Sequence, residues 1–149
     1  MTAATPLTPG QQPAGGRQVL SFLVGEQEFA VDILKVQEIR GKSSITGMPR
    51  TAAWVRGAMN LRGNIVPVID VRARLGVTDG AATRPVIVVV SVGPRLVGLQ
   101  VDAVCDVIEL PAEAIEPPPE IKRDDDVIEA LARHGERLLV LVNLEELIG

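Results

Sequence analysis

The order of apolar, polar and turn residues in this chain occurs twice, and that repetition narrows the possible folds more than any single motif. Sliding the chain by about 68 residues sets Gly25 on Gly93, Phe29 on Val97, Val31 on Leu99 and Ile33 on Val101. The same offset sets Val36 on Val104, Glu38 on Asp106 and Ile39 on Val107. Towards the end, an offset of about 73 sets Val68, Ile69, Asp70 and Val71 on Leu141, Val142, Asn143 and Leu144. Self-similarity of this kind predicts one structural unit built twice.

Each unit reads as β structure. Residues 20–24 are apolar on both faces, while Phe29, Val31 and Ile33 alternate with Glu28, Ala30 and Asp32, predicting a hairpin about Gly25-Glu26-Gln27. A third strand is expected at 36–40, a loop at 41–53, and a fourth strand at 55–62 that turns at Gly63-Asn64 into 65–69. Pro67 lacks an N–H and suggests an edge strand or a bulge. Asp70 suits the N-cap of a short helix at 71–75 that Gly76 stops, and Asn143 repeats that cap. Only 2% of the residues are aromatic although 46% are apolar, so the core must be Val, Ile and Leu, which favour strands.

Five short curved strands cannot hide both edges in a flat sheet, so each unit is expected to close into a small barrel. The predicted class is all-β, with two five-stranded barrels related by the repeat and a short helix after the last strand of each. Residues 1–16, rich in Pro, Gly, Thr and Gln, read as a disordered tail. The first barrel is expected at about 17–77, a linker at 78–83, the second barrel at about 84–142 and a C-terminal helix at 143–148. Residues 86–92, apolar on both faces, are expected near the junction of the barrels.

Composition excludes several kinds of partner. Acidic residues outnumber basic ones, 19 to 15, for a net charge of −4. A phosphate-tracking groove or an anionic membrane surface calls for the opposite balance. A single cysteine, no apolar N-terminal run and no stretch long enough to span a bilayer predict a cytoplasmic protein. Cys105 and His134, the single cysteine and the single histidine, could on paper make a nucleophile and base, and a small buried thiol and a turn histidine account for them better. One Cys and one His cannot supply a zinc site. Asp124-Asp125-Asp126 lacks the spacing of a calcium loop, and no phosphate-binding loop is present. No enzymatic activity and no cofactor is expected.

What remains are residues that folding does not use. With Val55, Gly57, Met59 and Leu61 facing inward, Arg56, Asn60 and Arg62 point outward. On the third strand Val36, Glu38 and Arg40 share one face, with Gln37 and Ile39 on the other. Composition alone admits two readings: an interface patch, or ordinary solvated alternation in which Glu38 and an arginine form a weak surface pair.

These stretches carry a resemblance. D-I-L-K-V-Q-E-I-R-G at 32–41 and V-R-G-A-M-N-L-R-G-N-I-V-P-V-I-D-V-R at 55–72 resemble the signature of the CheW family of bacterial chemotaxis. R-L-V-G-L-Q-V-D-A-V at 95–104 and L-L-V-L-V-N at 138–143 are similar to the family's later strands. The resemblance runs from about residue 17 to the end. It implies two SH3-like barrels and a scaffold that couples chemoreceptor cytoplasmic tips to the regulatory domain of the histidine kinase CheA, in the cytoplasm at receptor arrays. Carried over by position, Val36, Glu38, Ile39, Gly57 and Arg62 would serve kinase or receptor. Val104 and Val107 would line a groove for the receptor's helical hairpin, and Glu120 and Ile121 would form a second kinase-contacting loop. The family often has an aromatic residue at the position of Ile121. The rival reading is a generic SH3-like module for another protein or ligand.

Overall fold

The computed structural model describes residues 16–41, 43–49, 51–77, 84–117 and 127–148. Eleven strands and two short helices lie among them. The first unit supplies β1 (Arg17–Val24), β2 (Gln27–Asp32), β3 (Val36–Arg40), β4 (Val55–Leu61), β5 (Asn64–Asp70) and α1 (Val71–Leu75). The second supplies β6 (Val86–Val92), β7 (Arg95–Val101), β8 (Ala103–Leu110), β9 (Ile115–Glu116), β10 (Ile128–His134), β11 (Arg137–Val142) and α2 (Leu144–Leu147).

The local chemistry explains these elements. Asp70 caps α1 by accepting from the Ala73 N–H, and Asn143 caps α2 by accepting from the Glu146 N–H, both at 3.3 Å. Gly76, at φ 72°, ends α1 in the left-handed conformation. The strand expected to continue through Ile33 stops at Asp32, whose carboxylate accepts from the Leu34 N–H at 2.9 Å and opens a single 3₁₀ turn, Ile33–Lys35. Pro67 is neither on an edge strand nor at a bulge. It lies in a strand paired on both sides, one residue short of Val68, where the pairing of β5 with β7 begins.

The strand pairing corrects the expected division of the chain. One sheet runs β8-β1-β2-β11-β10-β9 and the other β3-β6-β7-β5-β4. The first hairpin of each unit thus sits among the strands of the other unit. Barrels at 17–77 and 84–142 would keep each hairpin at home, and the sheets do not divide that way. The seams are parallel pairings, Val140 with Phe29 and Ile69 with Leu99. Such non-local pairing leaves no mark in hydrophobic periodicity. Each sheet closes through its own chain. Past β3, Thr46 exchanges two 2.8 Å backbone hydrogen bonds with Ala58 of β4. Past β8, the two residues of β9 pair with β10.

Three apolar clusters follow. One barrel is filled by Val19, Ala30, Ile108, Leu110, Ala130, Ala132, Leu139 and Leu141. The other is filled by Met59, Leu61, Val66, Val68, Ile87 and Val89. The largest lies between them and includes Phe22, Phe29, Val31, Val71, Val88, Val90, Leu99 and Leu147. Residues of β6 alternate between a barrel interior and this junction, which is why 86–92 is apolar on both faces. Arg72 of α1 and Asp102, 2.6 Å apart and largely buried, reinforce the junction, and Asp102 also accepts from the Gly25 N–H at 2.7 Å.

Candidate functional site

The outward residues of β3 and the β4–β5 turn come together. Leu61 and Asn64 are joined by the two-residue turn Arg62-Gly63, one position earlier than expected, with φ values of 52° and 88°. That geometry is a type I′ turn, which favours Asn or Gly at both positions. Arg62 is the one non-glycine among the described residues with positive φ, at a cost of about 1 kcal/mol. The Asn60 carboxamide steadies the turn by accepting from the Gly63 N–H at 2.8 Å. The strained residue reaches across to β3, where its guanidinium is ion-paired with Glu38. Glu38 also accepts from Arg40 at 2.9 Å. Arg62 remains 69% exposed and Glu38 23%, so the pair is a rim feature worth well under 1 kcal/mol to stability.

Ile39 is 47% exposed and lies on the other face of β3 from Glu38: it sits opposite Val88 of the junction cluster, while Glu38 and Arg40 sit opposite Val89 and Ile87 of the barrel interior. The register shift between Val36 and Glu38 corrects the expected sharing of one face by Val36, Glu38 and Arg40, because it turns Val36, opposite Val90, to the side of Ile39. The repeat counterpart of Ile39, Val107 on β8, is 57% exposed. Ile65 and Leu138, counterparts by the second offset, are also exposed. The electrostatics repeat as well, because Asp106, the counterpart of Glu38, is paired with Arg137 at 3.3 Å. Each barrel therefore presents an exposed aliphatic residue on one face of its third strand and, on the residue before it, a carboxylate held by an arginine from the last hairpin. Val36 and Val104, a third counterpart pair, are half-buried against the junction cluster, where the two barrels meet. Folding gains nothing from large exposed aliphatic side chains, and their recurrence next to ion-paired carboxylates along the strand is the composition of a recognition surface.

Gly57 stands apart from these. It is buried at φ 145°, and a Cβ there would lie 2.0 Å from the Thr46 carbonyl oxygen. It offers no side chain to a partner; it lets the barrel close. Glu120 and Ile121 lie outside the described residues, as do the expected tail up to residue 15, the linker at 78–83 and the Asp124–Asp126 run.

Sequence reasoning missed a polar cluster on the other barrel. The Arg137 guanidinium grips the Glu28 carboxylate with both Nε and Nη2. Ser21 is fully buried at a register shift in β1, and its hydroxyl accepts from the Asp106 N–H at 3.1 Å. Glu28 and Arg137 are 109 residues apart, so no local pattern could have joined them. The arginine holds the Glu28 carboxyl below its ordinary value of 4.5, against the opposing effect of burial. A carboxylate with a depressed folded pKa contributes stability above its unfolded pKa and loses it as pH falls through the folded one. Glu28→Gln is thus expected to flatten the acid limb of stability against pH below 4.5, as read by urea melts at pH 7 and pH 3.

Cys105 is exposed on β8, not buried as expected. Partial desolvation and the nearby Glu28 charge push its thiol pKa up, the direction opposite to an activated nucleophile. Among the described residues no group of three or more His, Cys, Asp or Glu could hold a metal ion. None of their helices is long and apolar enough to cross a membrane.

Known proteins share this arrangement. The family model described as the CheW-like domain matches residues 18–149. The chain belongs to the CheW family. A chemotaxis protein CheW of Klebsiella aerogenes is 43% identical over 139 residues, covering 90% of this chain and 82% of that protein. The CheW of Rhizobium meliloti is 44% identical over 135 residues, covering 88% and 86%. Among solved structures, the scaffolding protein TtCheW of Thermoanaerobacter tengcongensis is similar with a TM-score of 0.80 at 32% identity, covering 85% of this chain and 88% of that one. The two closed sheets and their shared junction are therefore a CheW fold.

Proposed function

We propose that this protein is a non-enzymatic coupling scaffold of a cytoplasmic chemosensory array, holding chemoreceptor tips and the regulatory domain of the histidine kinase CheA in fixed relative positions. Family membership supports this reading, and the observation that carries it is the third strand, which turns Val36 and Ile39 to one face and holds Glu38 with Arg62 at the other. An aliphatic anchor with a charged rim binds by burying the anchor, while the rim sets register and rejects wrong partners. Val36 and Val104, at the seam of the barrels, suit the apolar stripe of a helical hairpin, with Val107 beside them. Glu120 and Ile121 are proposed as a further kinase contact. A scaffold of this kind needs no cofactor: it transmits a receptor's change only because the bound states differ in free energy.

Arg62→Asp tests the reading. Aspartate tolerates the left-handed turn as well as arginine does, and the substitution sets two carboxylates against each other at the rim. Affinity for the kinase regulatory domain or for a receptor cytoplasmic fragment, measured by calorimetry, is expected to fall about tenfold or more (about 1.4 kcal/mol). The melting temperature should stay within about 2 °C, since the pair contributes little to folding. Unchanged affinity for both partners would remove the physical basis of the proposal.

A further inference from the structure

Each barrel has a mouth at the end where its third strand leaves, and the repeat makes the two mouths directly comparable. In the β1–β2–β8–β10–β11 barrel, Arg17 is paired with Glu129 at 2.6 Å and Asp32 lies in the same cleft. Lys35 and Glu145 line it too, so two cations face three carboxylates there. In the other barrel the counterpart of Glu129 is Arg56, and the counterpart of Asp32 is Gln100. Both line a cleft of about 690 Å³ together with Arg84, Ser43 and an apolar wall that includes Val86 and Ile87. One carboxylate has become an arginine and the other an amide.

Two observations set this cleft apart. Arg56 donates only to the Gln100 side-chain oxygen, at 3.3 Å, and neither it nor Arg84 has a carboxylate partner among the described residues. Arg17, Arg40, Arg62, Arg72, Arg133 and Arg137 all do. Arg56 also falls at the register shift between Val55 and Gly57, and such irregularities re-aim side chains.

We propose that this mouth is a binding site for a small organic oxoanion, a carboxylate or phosphate on an apolar stem. Arg56 and Arg84 would hold the anion, and Val86 and Ile87 would cover the stem. The proposal does not require the coupling reading to hold. Guanidinium forks match both oxoanions in geometry, so the probes distinguish the two sources.

The experiment is a ¹⁵N-resolved titration of the full chain at low ionic strength with phenyl phosphate, benzoate and benzyl alcohol. Saturable shifts are expected at the Arg56 and Arg84 Nε–H groups and at the Ser43 and Gln100 amides with at least one of the two anions, and none with the alcohol. The stronger anion names the source. The double variant Arg56→Gln with Arg84→Gln should weaken binding tenfold or more, while Arg17→Gln, at the carboxylate-rich mouth, should leave it unchanged. Both arginines are exposed, so an unchanged melting temperature separates loss of binding from loss of fold. Absence of saturation with both anions, equal shifts with benzyl alcohol, or binding that survives the double variant would each overturn the proposal.

Discussion

Gly57→Ala is expected to destabilise the protein by on the order of 3 kcal/mol, lowering the melting temperature by roughly 6–12 °C. Two terms add. At φ 145° an L residue is strained whatever space surrounds it, and the new Cβ would meet the Thr46 carbonyl oxygen at 2.0 Å and the Gly47 Cα at 2.9 Å. Neither obstacle is a flexible side chain that could swing away. The only relief is to push Thr46 off β4, which breaks the two hydrogen bonds closing the barrel. The prediction also reinterprets a residue that family resemblance places at an interface. A Gly57 variant that fails to bind is expected to fail because its barrel has opened, so loss of binding and of thermal stability should track each other across Gly57→Ala and Gly57→Ser. A variant that lost binding at an unchanged melting temperature would restore Gly57 to the contact surface.

Phe22→Ala should cost about 3–5 kcal/mol, the range for removing a large aromatic from a packed core. Phe22 is fully buried in the junction cluster and stacks on Phe29 with ring centroids 6.0 Å apart. The more telling result is the form of the transition. Because each barrel takes a hairpin from the other unit, neither can unfold while its neighbour stays intact. Fluorescence of Trp54, the only tryptophan and part of the junction's rim, and far-UV circular dichroism should therefore report one coincident unfolding transition in wild type and variant alike. Two separated transitions would mean that the barrels are independent after all.

Part of the candidate surface was legible beforehand, although alternation carried through β3 misplaced Val36, which the register shift turns to the face of Ile39. Alternation along β4 placed Arg56, Asn60 and Arg62 outside and Met59 and Leu61 inside, and their exposure in the structure agrees. Such inference works because side-chain direction in a strand has a period of two. It cannot report which outward residues meet. The Arg62–Glu38 pair depends on a turn one residue earlier than expected, and the Arg56–Arg84 cleft on the approach of three separate strands. Cys105 was misjudged for a related reason: its strand lies at a sheet edge, where an apolar residue type says little about burial.

The sequence by itself determined the duplicated unit, its strands, the matching caps at Asp70 and Asn143 and the valine-rich composition of the core, because each rests on residues close together in the chain. Tertiary structure alone decided that the two units exchange their first hairpins, that Gly57 must lack a side chain, and that Glu28 meets Arg137. Pairings over such distances are chosen by the total apolar area they bury, and that quantity belongs to the whole fold and to no segment of it.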